Sequence, residues 1–291
     1  MPESLVNTKR RIATIRSTEK ITKAMKLVAS VKYQRWKKYF EENKAFTIGM
    51  NQTMLRTLAG VDFYEVNKPN IMTSYNKDKT LYVVVTSTLG LCGAYNYNLF
   101  KALDPVLKEK DELFVIGSKA LSHFNNKPYE IHGDYVDLLD NFTYSAVRRM
   151  RHEIVRLYKS KNYSKVVLVY TKYVNSLTFT PVLHQLLPLD PDLEGVEEAK
   201  KSFNPPIFEP SVEEVLEQIL PHYIDASLYN KLIESELSEL ASRRNAMETA
   251  TDAADKIQAQ LQLQYNKARQ NAITQEITEV VAGANAGKKK E

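Results

Sequence analysis

The sequence predicts a mixed α/β protein with a long helix at each end of the chain and an α/β domain between them. Three observations predict it. No Gly or Pro falls between Pro2 and Gly49, and a second stretch free of both runs for 61 residues from His222 to Ala282. Between these stretches, apolar runs of strand length alternate with helical segments. The two ends also carry opposite charge. Residues 1–57 hold 13 Lys or Arg against 4 Asp or Glu, whereas residues 211–291 hold 9 against 13. Globular helices average about 11–12 residues, so breaker-free stretches of this length belong to a different architecture.

Taken in order, residues 1–57 form the first helix. Ile12, Ile15, Ile21, Met25 and Val28 supply its apolar pattern, and it would reach about 70 Å if helical from residue 3 to 48. Residues 58–210 form the middle domain. There TLYVVVTS (80–87) is a strand followed by a turn and a helix from Ala94 to Lys110, and ELFVIGS (112–118) is a strand followed by a short helix. A third run spans Tyr129 to Tyr135, a helix spans Ser145 to Lys159, and SKVVLVYTKY (164–173) is the fourth strand. Such alternation predicts a mainly parallel sheet with crossover helices. The prolines at 181, 188, 191, 205, 206 and 210 then mark loops leaving this domain.

Residues 211–291 form the last helix. Ser211 and Glu214 make a capping box, Glu213 favours the positive end of the helix dipole, and Pro221 is expected to kink the helix or split off a short piece. Leu237, Leu240, Arg244, Met247, Thr251, Ala254, Ile257, Leu261, Tyr265, Ala268 and Ala272 recur at spacings of three and four, which is a weakly apolar coiled-coil stripe. Helical throughout, the breaker-free stretch would reach about 90 Å. Opposite charges on the two terminal helices favour their antiparallel pairing, which leaves a positive surplus on the first.

A formal charge of +5 on 291 residues with 43% hydrophobic content excludes a basic nucleic-acid coat and an acidic disordered tail, and predicts a folded soluble protein. Cys92 stands alone, so no internal disulfide forms and a reducing compartment is expected. The run Leu81 to Val85 is far shorter than the roughly 20 residues that cross a bilayer, and the first residues lack the apolar core of a secretory signal.

Catalytic chemistry finds little support. The turn TLGLCGAYN (88–96) follows a strand and opens a helix, yet it lacks both G-x-x-x-x-G-K-[ST] and G-x-G-x-x-G, so it reads as a tight turn. Cys92 reads as a buried small thiol. The histidines at 123, 132, 152, 184 and 222 have no metal-ligand spacing, and no G-x-S-x-G is present. Glu41/Glu42 and Glu213/Glu214 are explained by solvation or the helix dipole. No catalytic, cofactor or metal site is expected. The basic helix has two readings: a nucleic-acid element with Tyr33, Trp36, Tyr39 and Phe40 as stacking residues, or a helix inserted into a protein ring with acidic loops. An acidic partner helix would repel phosphate, which favours the second.

Three segments are more specific. EKITKAMKLVAS (19–30), GLCGAYN (90–96) and SRRNAMETATDAADKI…LQYNKARQNAITQEITEVVAGA (242–284) together closely resemble the gamma subunits of F-type, bacterial-type ATP synthases, in order and across the chain. The resemblance implies a non-catalytic rotor shaft, one copy per complex, with a Rossmann-like middle domain at its foot. Implied partners are the hexamer of alpha and beta subunits, the epsilon subunit and the membrane c-subunit ring, and the implied place is the cytoplasmic face of the plasma membrane, peripherally held. Met25 matches a position facing the lever loop of beta, with Lys26 beside it, although Met25 also reads as a seam residue. Arg243 matches an arginine coupled to the same region. Arg269 and Gln270 match a pair held by beta-subunit loops, and Thr274, Glu276 and Glu279 match polar coupling residues; on the residues alone, solvated polar side chains are the other reading of Arg269 and Gln270. Phe208 and Glu209 match an aromatic-acid pair near the ring. No cofactor is implied. The chain lacks the cysteine-bearing insertion of chloroplast forms, and its KKKE tail is read as a solvated end. The alternative from a different class is a coiled-coil nucleic-acid-binding protein on an α/β domain.

Overall fold

A computed structural model describes residues 5–63, 66–75, 78–135, 138, 143–161, 163–191, 194–202, 204 and 206–288. In chain order its elements are α1 (Leu5–Ala59), β1 (Thr80–Val85), α2 (Tyr95–Leu103), β2 (Glu112–Ile116), α3 (Ser118–Phe124), β3 (Glu130–Tyr135), α4 (Tyr144–Lys161), β4 (Lys165–Tyr173), β5 (Phe179–Leu187), α5 (Val196–Ser202) and α6 (Val212–Lys288). The fold is mixed α/β, with long terminal helices of 55 and 77 residues and a central sheet. Two compact units emerge: Ala29–Arg243, and Met1–Val28 together with Arg244–Glu291. Both terminal helices therefore contribute to both units. Of the KKKE tail, Lys288 ends α6 and residues 289–291 lie outside the described residues.

The unit Ala29–Arg243 is built on a five-stranded sheet of order β3-β2-β1-β4-β5. The first four strands are parallel and β5 returns antiparallel to β4. Successive strand side chains point to opposite faces, so β1 divides its residues between two cores. Leu81, Val83 and Val85 join Met150, Ile154 and Tyr158 of α4, Met54 and Leu58 of α1, and Leu216, Leu220, Ile224 and Leu228 of α6. Tyr82 and Val84 join Leu99 and Leu103 of α2 and Ala120 and Phe124 of α3 on the other face.

Several expectations are corrected here. Helix α2 ends at Leu103 rather than Lys110, because Pro105 cannot continue it and a short 3-10 turn, Asp104–Val106, follows. The proline at 181 does not mark a loop: β5 runs through it, which is tolerated because β5 is an edge strand, whereas Pro188 lies just past the strand. Helix α5 was also not foreseen. Pro221 lies inside a continuous α6. Its cost, about 3 kcal/mol in a helix interior, is opposed by the buried face Leu216, Leu220, Ile224 and Leu228 that brackets it. At the start of α6 the Glu214 backbone N–H donates to Ser211 Oγ at 3.2 Å, as the capping box requires.

Buried polar groups pin the unit at named points. Arg151 on α4 forms an ion pair with Asp225 on α6 at 2.9 Å, both buried. Asp111 accepts backbone N–H bonds from Thr80 and Lys108, each at 2.9 Å, which ties the start of β1 to the turn before β2. Glu112, buried at the start of β2, is held by Lys79, Tyr163 and His132. Burial pushes its carboxyl up, but the bonds it accepts from Lys79, Tyr163 and His132 outweigh that and bring it down to about 2.

In the other unit, α1 and α6 lie antiparallel: Thr22 Oγ1 is 2.9 Å from Thr251 Oγ1, and Lys26 Nζ is 2.8 Å from Glu248 Oε1. The inward positions keep strict three-four spacing. On α6 they are Met247, Thr251, Ala254, Gln258, Leu261, Tyr265, Ala268 and Ala272, and on α1 Leu5, Thr8, Ile12, Ile15, Glu19, Thr22 and Lys26. Three assigned stripe residues are therefore corrected. Ile257, Ile21 and Val28 are 42%, 58% and 59% exposed. The heptad period carries Gln258 into the seam after Ala254, and Thr22 rather than Ile21, whatever the neighbour's hydrophobicity.

Two outcomes test this account. Gly117 has φ +89°, and a Cβ there would lie 2.1 Å from the Thr86 carbonyl oxygen, so Gly117→Ala is expected to lower the urea-unfolding free energy by about 3 kcal/mol or more. Glu112 has a depressed folded-state pKa, so its contribution is present above its ordinary value of 4.5 and is lost as pH falls toward about 2. Urea midpoints measured across that window should fall more steeply for the natural chain than for Glu112→Gln.

Candidate functional site

In an open α/β sheet, ligands bind outside the carboxyl ends of the strands, where the strand order reverses. Here that point lies between β1 and β4, because the chain goes from β1 to β2 and β3 on one side and returns through α4 to β4 on the other. The crevice is not free. Helix α6 crosses it and is bonded to both of its walls.

Serines at 235, 238 and 242 on α6, spaced by three and four, face the crevice and are buried. Ser238 Oγ donates to the Thr171 carbonyl at the end of β4 at 3.2 Å, and the Thr171 N–H reaches Ser235 Oγ at 3.5 Å. Tyr95 at the start of α2 places its hydroxyl 2.8 Å from Ser235 Oγ. On the β1 side, Ser242 Oγ donates to the Cys92 carbonyl at 2.7 Å, and Arg243 donates to the Leu89 carbonyl at 3.2 Å and the Gly90 carbonyl at 2.5 Å. Glu239 pairs with the same guanidinium. The turn that resembled half a phosphate loop thus spends its carbonyls on α6. It also holds Leu91 at φ +64°, an uncommon conformation for a side-chain-bearing residue.

Two groups on this unit have the chemistry of a reactive or metal site. Cys92 is buried, beside Ser87 Oγ and Asn96 Nδ2, and burial pushes its thiol up, which opposes a nucleophilic role. Glu112, Glu130 and His132 bring ligand atoms within 4.8 Å of one another. The Lys79 ammonium already pairs with Glu112, so a protein cation meets the charge of the buried carboxylate in this cluster.

The predicted site residues fall into three places. Met25 is half-buried, and Lys26 next to it is engaged by Glu248. Arg269, Gln270, Thr274, Glu276 and Glu279 are all exposed on the last part of α6, where Ile273, Ile277, Val280 and Val281 are exposed too. Arg243 points inward to the 89–90 carbonyls rather than to solvent. Phe208 is half-buried against the sheet core, and Glu209 is exposed.

The family model for ATP synthase matches residues 4–286. The ATP synthase gamma chain of Mycoplasma capricolum is 37% identical over 286 residues, covering 97% of this chain and 98% of that one. The chain belongs to the ATP synthase gamma family. The gamma chain of Alkaliphilus metalliredigens is also 37% identical, over 282 residues and 96% of each chain. Among solved structures, the central stalk and c-ring of the Tetrahymena thermophila mitochondrial ATP synthase aligns with TM-score 0.60 and 25% identity, over 79% of this chain and 99% of that one. The rotor of the Euglena gracilis enzyme shares the fold, with TM-score 0.64 and 20% identity over 92% and 98%. Gamma chains form the central stalk of the ATP synthase, whose catalytic sites reside in the beta subunits. That agrees with a crevice filled by the chain's own helix. The nucleic-acid alternative gains no support from these relatives. Among the described residues, no helix is long and apolar enough to cross a membrane.

Sequence reasoning missed Ser235, Ser238, Ser242, Glu239 and Tyr95. A triplet of serines at helical spacing is the one signal that could have found them, and on an acidic helix it reads first as a solvated face. Thr171 adds a test of the geometry. Its Oγ1 is buried with no hydrogen-bond partner among the described residues, so Thr171→Val is expected to leave stability equal or raise it by up to about 1 kcal/mol, read as the urea-unfolding midpoint.

Proposed function

We propose that this chain is the non-catalytic rotor of an ATP synthase complex, coupling ion flow through a membrane ring to ATP synthesis or hydrolysis in a hexamer of alpha and beta subunits. The carrying observation is the end of α6. In the antiparallel register set by Thr22 with Thr251, Leu5 falls opposite Ala268, and beyond it α6 exposes Ile273, Ile277, Val280 and Val281 at helical spacing. A helix with an exposed apolar stripe of this kind gains stability from an enclosing surface. A ring of other subunits supplies one.

In this reading Arg269 and Gln270 stand exposed just past Ala268, available to acidic and polar loops of the beta subunits. Thr274, Glu276 and Glu279 continue that exposed polar face. Met25 and Lys26 face the lever loops of beta lower on the shaft, with Lys26 shared between Glu248 and the partner. Arg243 serves coupling from inside, by bracing the 88–93 turn. Phe208 and Glu209 lie toward the membrane ring and epsilon. The complex carries one copy of the chain and is held peripherally at the cytoplasmic face of the plasma membrane.

Tagged chain recovered from its native membranes should bring down three alpha and three beta subunits per copy together with ATPase activity; recovery with nucleic acid and without those subunits would overturn the reading. In the assembled complex, Arg269→Ala with Gln270→Ala is expected to lower ATP-driven ion pumping several-fold and leave the α/β unit folded by circular dichroism. Unchanged pumping and turnover would remove these two residues from the mechanism.

A further inference from the structure

A rotor must pass rotation from its α/β domain to the helix that enters the hexamer, and a hydrophobic seam is poorly suited to that. Apolar contact is non-directional: it resists separation strongly and sliding or turning about the helix axis much less. Hydrogen bonds are directional and weaken steeply as their angle is lost. The first part of α6 is held to the sheet by the apolar face Leu216 to Leu232. Between Ser235 and Arg243 an apolar cluster of Leu237, Leu240 and Ala241 with Tyr33 continues that attachment, and hydrogen bonds to the crevice are added to it.

Those bonds have a geometry suited to resisting rotation. Ser235, Ser238, Ser242 and Arg243 span nine residues of helix, about 12 Å end to end and more than two turns, on one face. They engage two walls of the crevice, Thr171 at the end of β4 on one side and Leu89, Gly90, Cys92 and Tyr95 after β1 on the other. With acceptors on both walls, turning α6 in either direction misaligns the bonds to at least one of them. The single Ser238 hydroxyl proton is shared between the Thr171 carbonyl at 3.2 Å and the Glu234 carbonyl of its own helix at 2.8 Å, so the bonds of Ser235, Ser242 and Arg243 carry most of the attachment. The location is also specific. Arg243 is the last residue of the α/β unit, and Arg244 begins the segment assigned to the other unit.

We infer that the serine–arginine key formed by Ser235, Ser238, Ser242 and Arg243 in the β1/β4 crevice is the torque coupling between the α/β domain and α6. This rests on the rotor reading. The serines are positioning residues: they touch no nucleotide and no ion, and act by forbidding rotation of α6 within its socket. Tyr95 and Glu239 complete the key by orienting Ser235 and Arg243.

The test uses the assembled complex in membrane vesicles with Ser238→Ala plus Ser242→Ala, and separately with Ser235→Ala plus Tyr95→Phe, which keeps the buried ring. The readout is ions pumped per ATP hydrolysed, measured without and then against an opposing ion gradient. The expected result is a ratio at least threefold below that of the natural complex against the gradient, with a smaller deficit when the gradient is absent, in both variants. A structural role alone would lower the melting temperature and leave the ratio and its load dependence unchanged; that outcome overturns the inference. The natural complex is the control for the rotor reading itself. If it pumps no ions on ATP addition, the rotor reading fails first, and if it pumps while both variants keep its ratio, only the key fails.

Discussion

Helix α6 must satisfy different surroundings along a single uninterrupted backbone, and most of the structure follows from that constraint. Its 77 residues change character in blocks. Residues 212–233 present a mainly apolar face to the α/β core, with buried Asp225 paired to Arg151, residues 235–243 present serines and an arginine to the crevice, and residues 247–272 present a mixed face of Met247, Leu261, Tyr265, alanines and polar side chains to α1. The last turns present isoleucine and valine to whatever encloses them. A helix has no means of reorienting a face except through its period of 3.6 residues. The sequence meets each surrounding by changing composition along the helix, and Pro221 is tolerated because it falls where apolar burial on both sides is greatest.

The crevice between β1 and β4 is the place where open α/β sheets elsewhere hold dinucleotides, and here the chain's own helix occupies it. A glycine-bearing turn precedes the helix start at Tyr95, as it does in such folds. Its partner here is α6. Carbonyls of Leu89, Gly90 and Cys92 accept bonds from α6, and the space above Thr171 is filled by Ser235 and Ser238. Directional polar contacts specify one rotational setting of the helix, where an apolar surface of equal area would tolerate several.

Long-range features of this architecture were legible in the residues, and short-range exceptions were not. The absence of Gly and Pro over 61 residues leaves few alternatives to helix, and four strand runs with the right spacing leave few alternatives to a parallel sheet. Strand β5 was hidden because FTPVLHQLL contains a proline, and the rule that excludes proline from strands relaxes at an edge. Ile257 and Ile21 misled because hydrophobicity suggested the seam while the heptad count placed Gln258 and Thr22 in it. The serine key was hidden for a deeper reason. A buried serine differs from a solvated one only in what stands opposite, and that depends on residues 64 to 150 positions away in sequence.

The seam of the Met1–Val28 and Arg244–Glu291 unit gives the last step. A hydroxyl pair, Thr22 with Thr251, and an ion pair, Lys26 with Glu248, sit where a self-sufficient coiled coil would carry leucines. The ion pair is about a third to a half exposed, where such pairs contribute little. Ala254, Ala268 and Ala272 add small area. Meanwhile Ile21, Leu27, Val28 and Leu263 stay exposed on the outside of the same unit. Apolar area has been moved from between the helices to their outer surface. At about 25 cal/mol per Å² of apolar surface removed from water, the larger gain comes when the outside is covered, not when the helices pair. In the proposed rotor, a two-helix element arranged in this way would be stabilised mainly by its enclosure, with the Thr22–Thr251 and Lys26–Glu248 pairs setting register and direction.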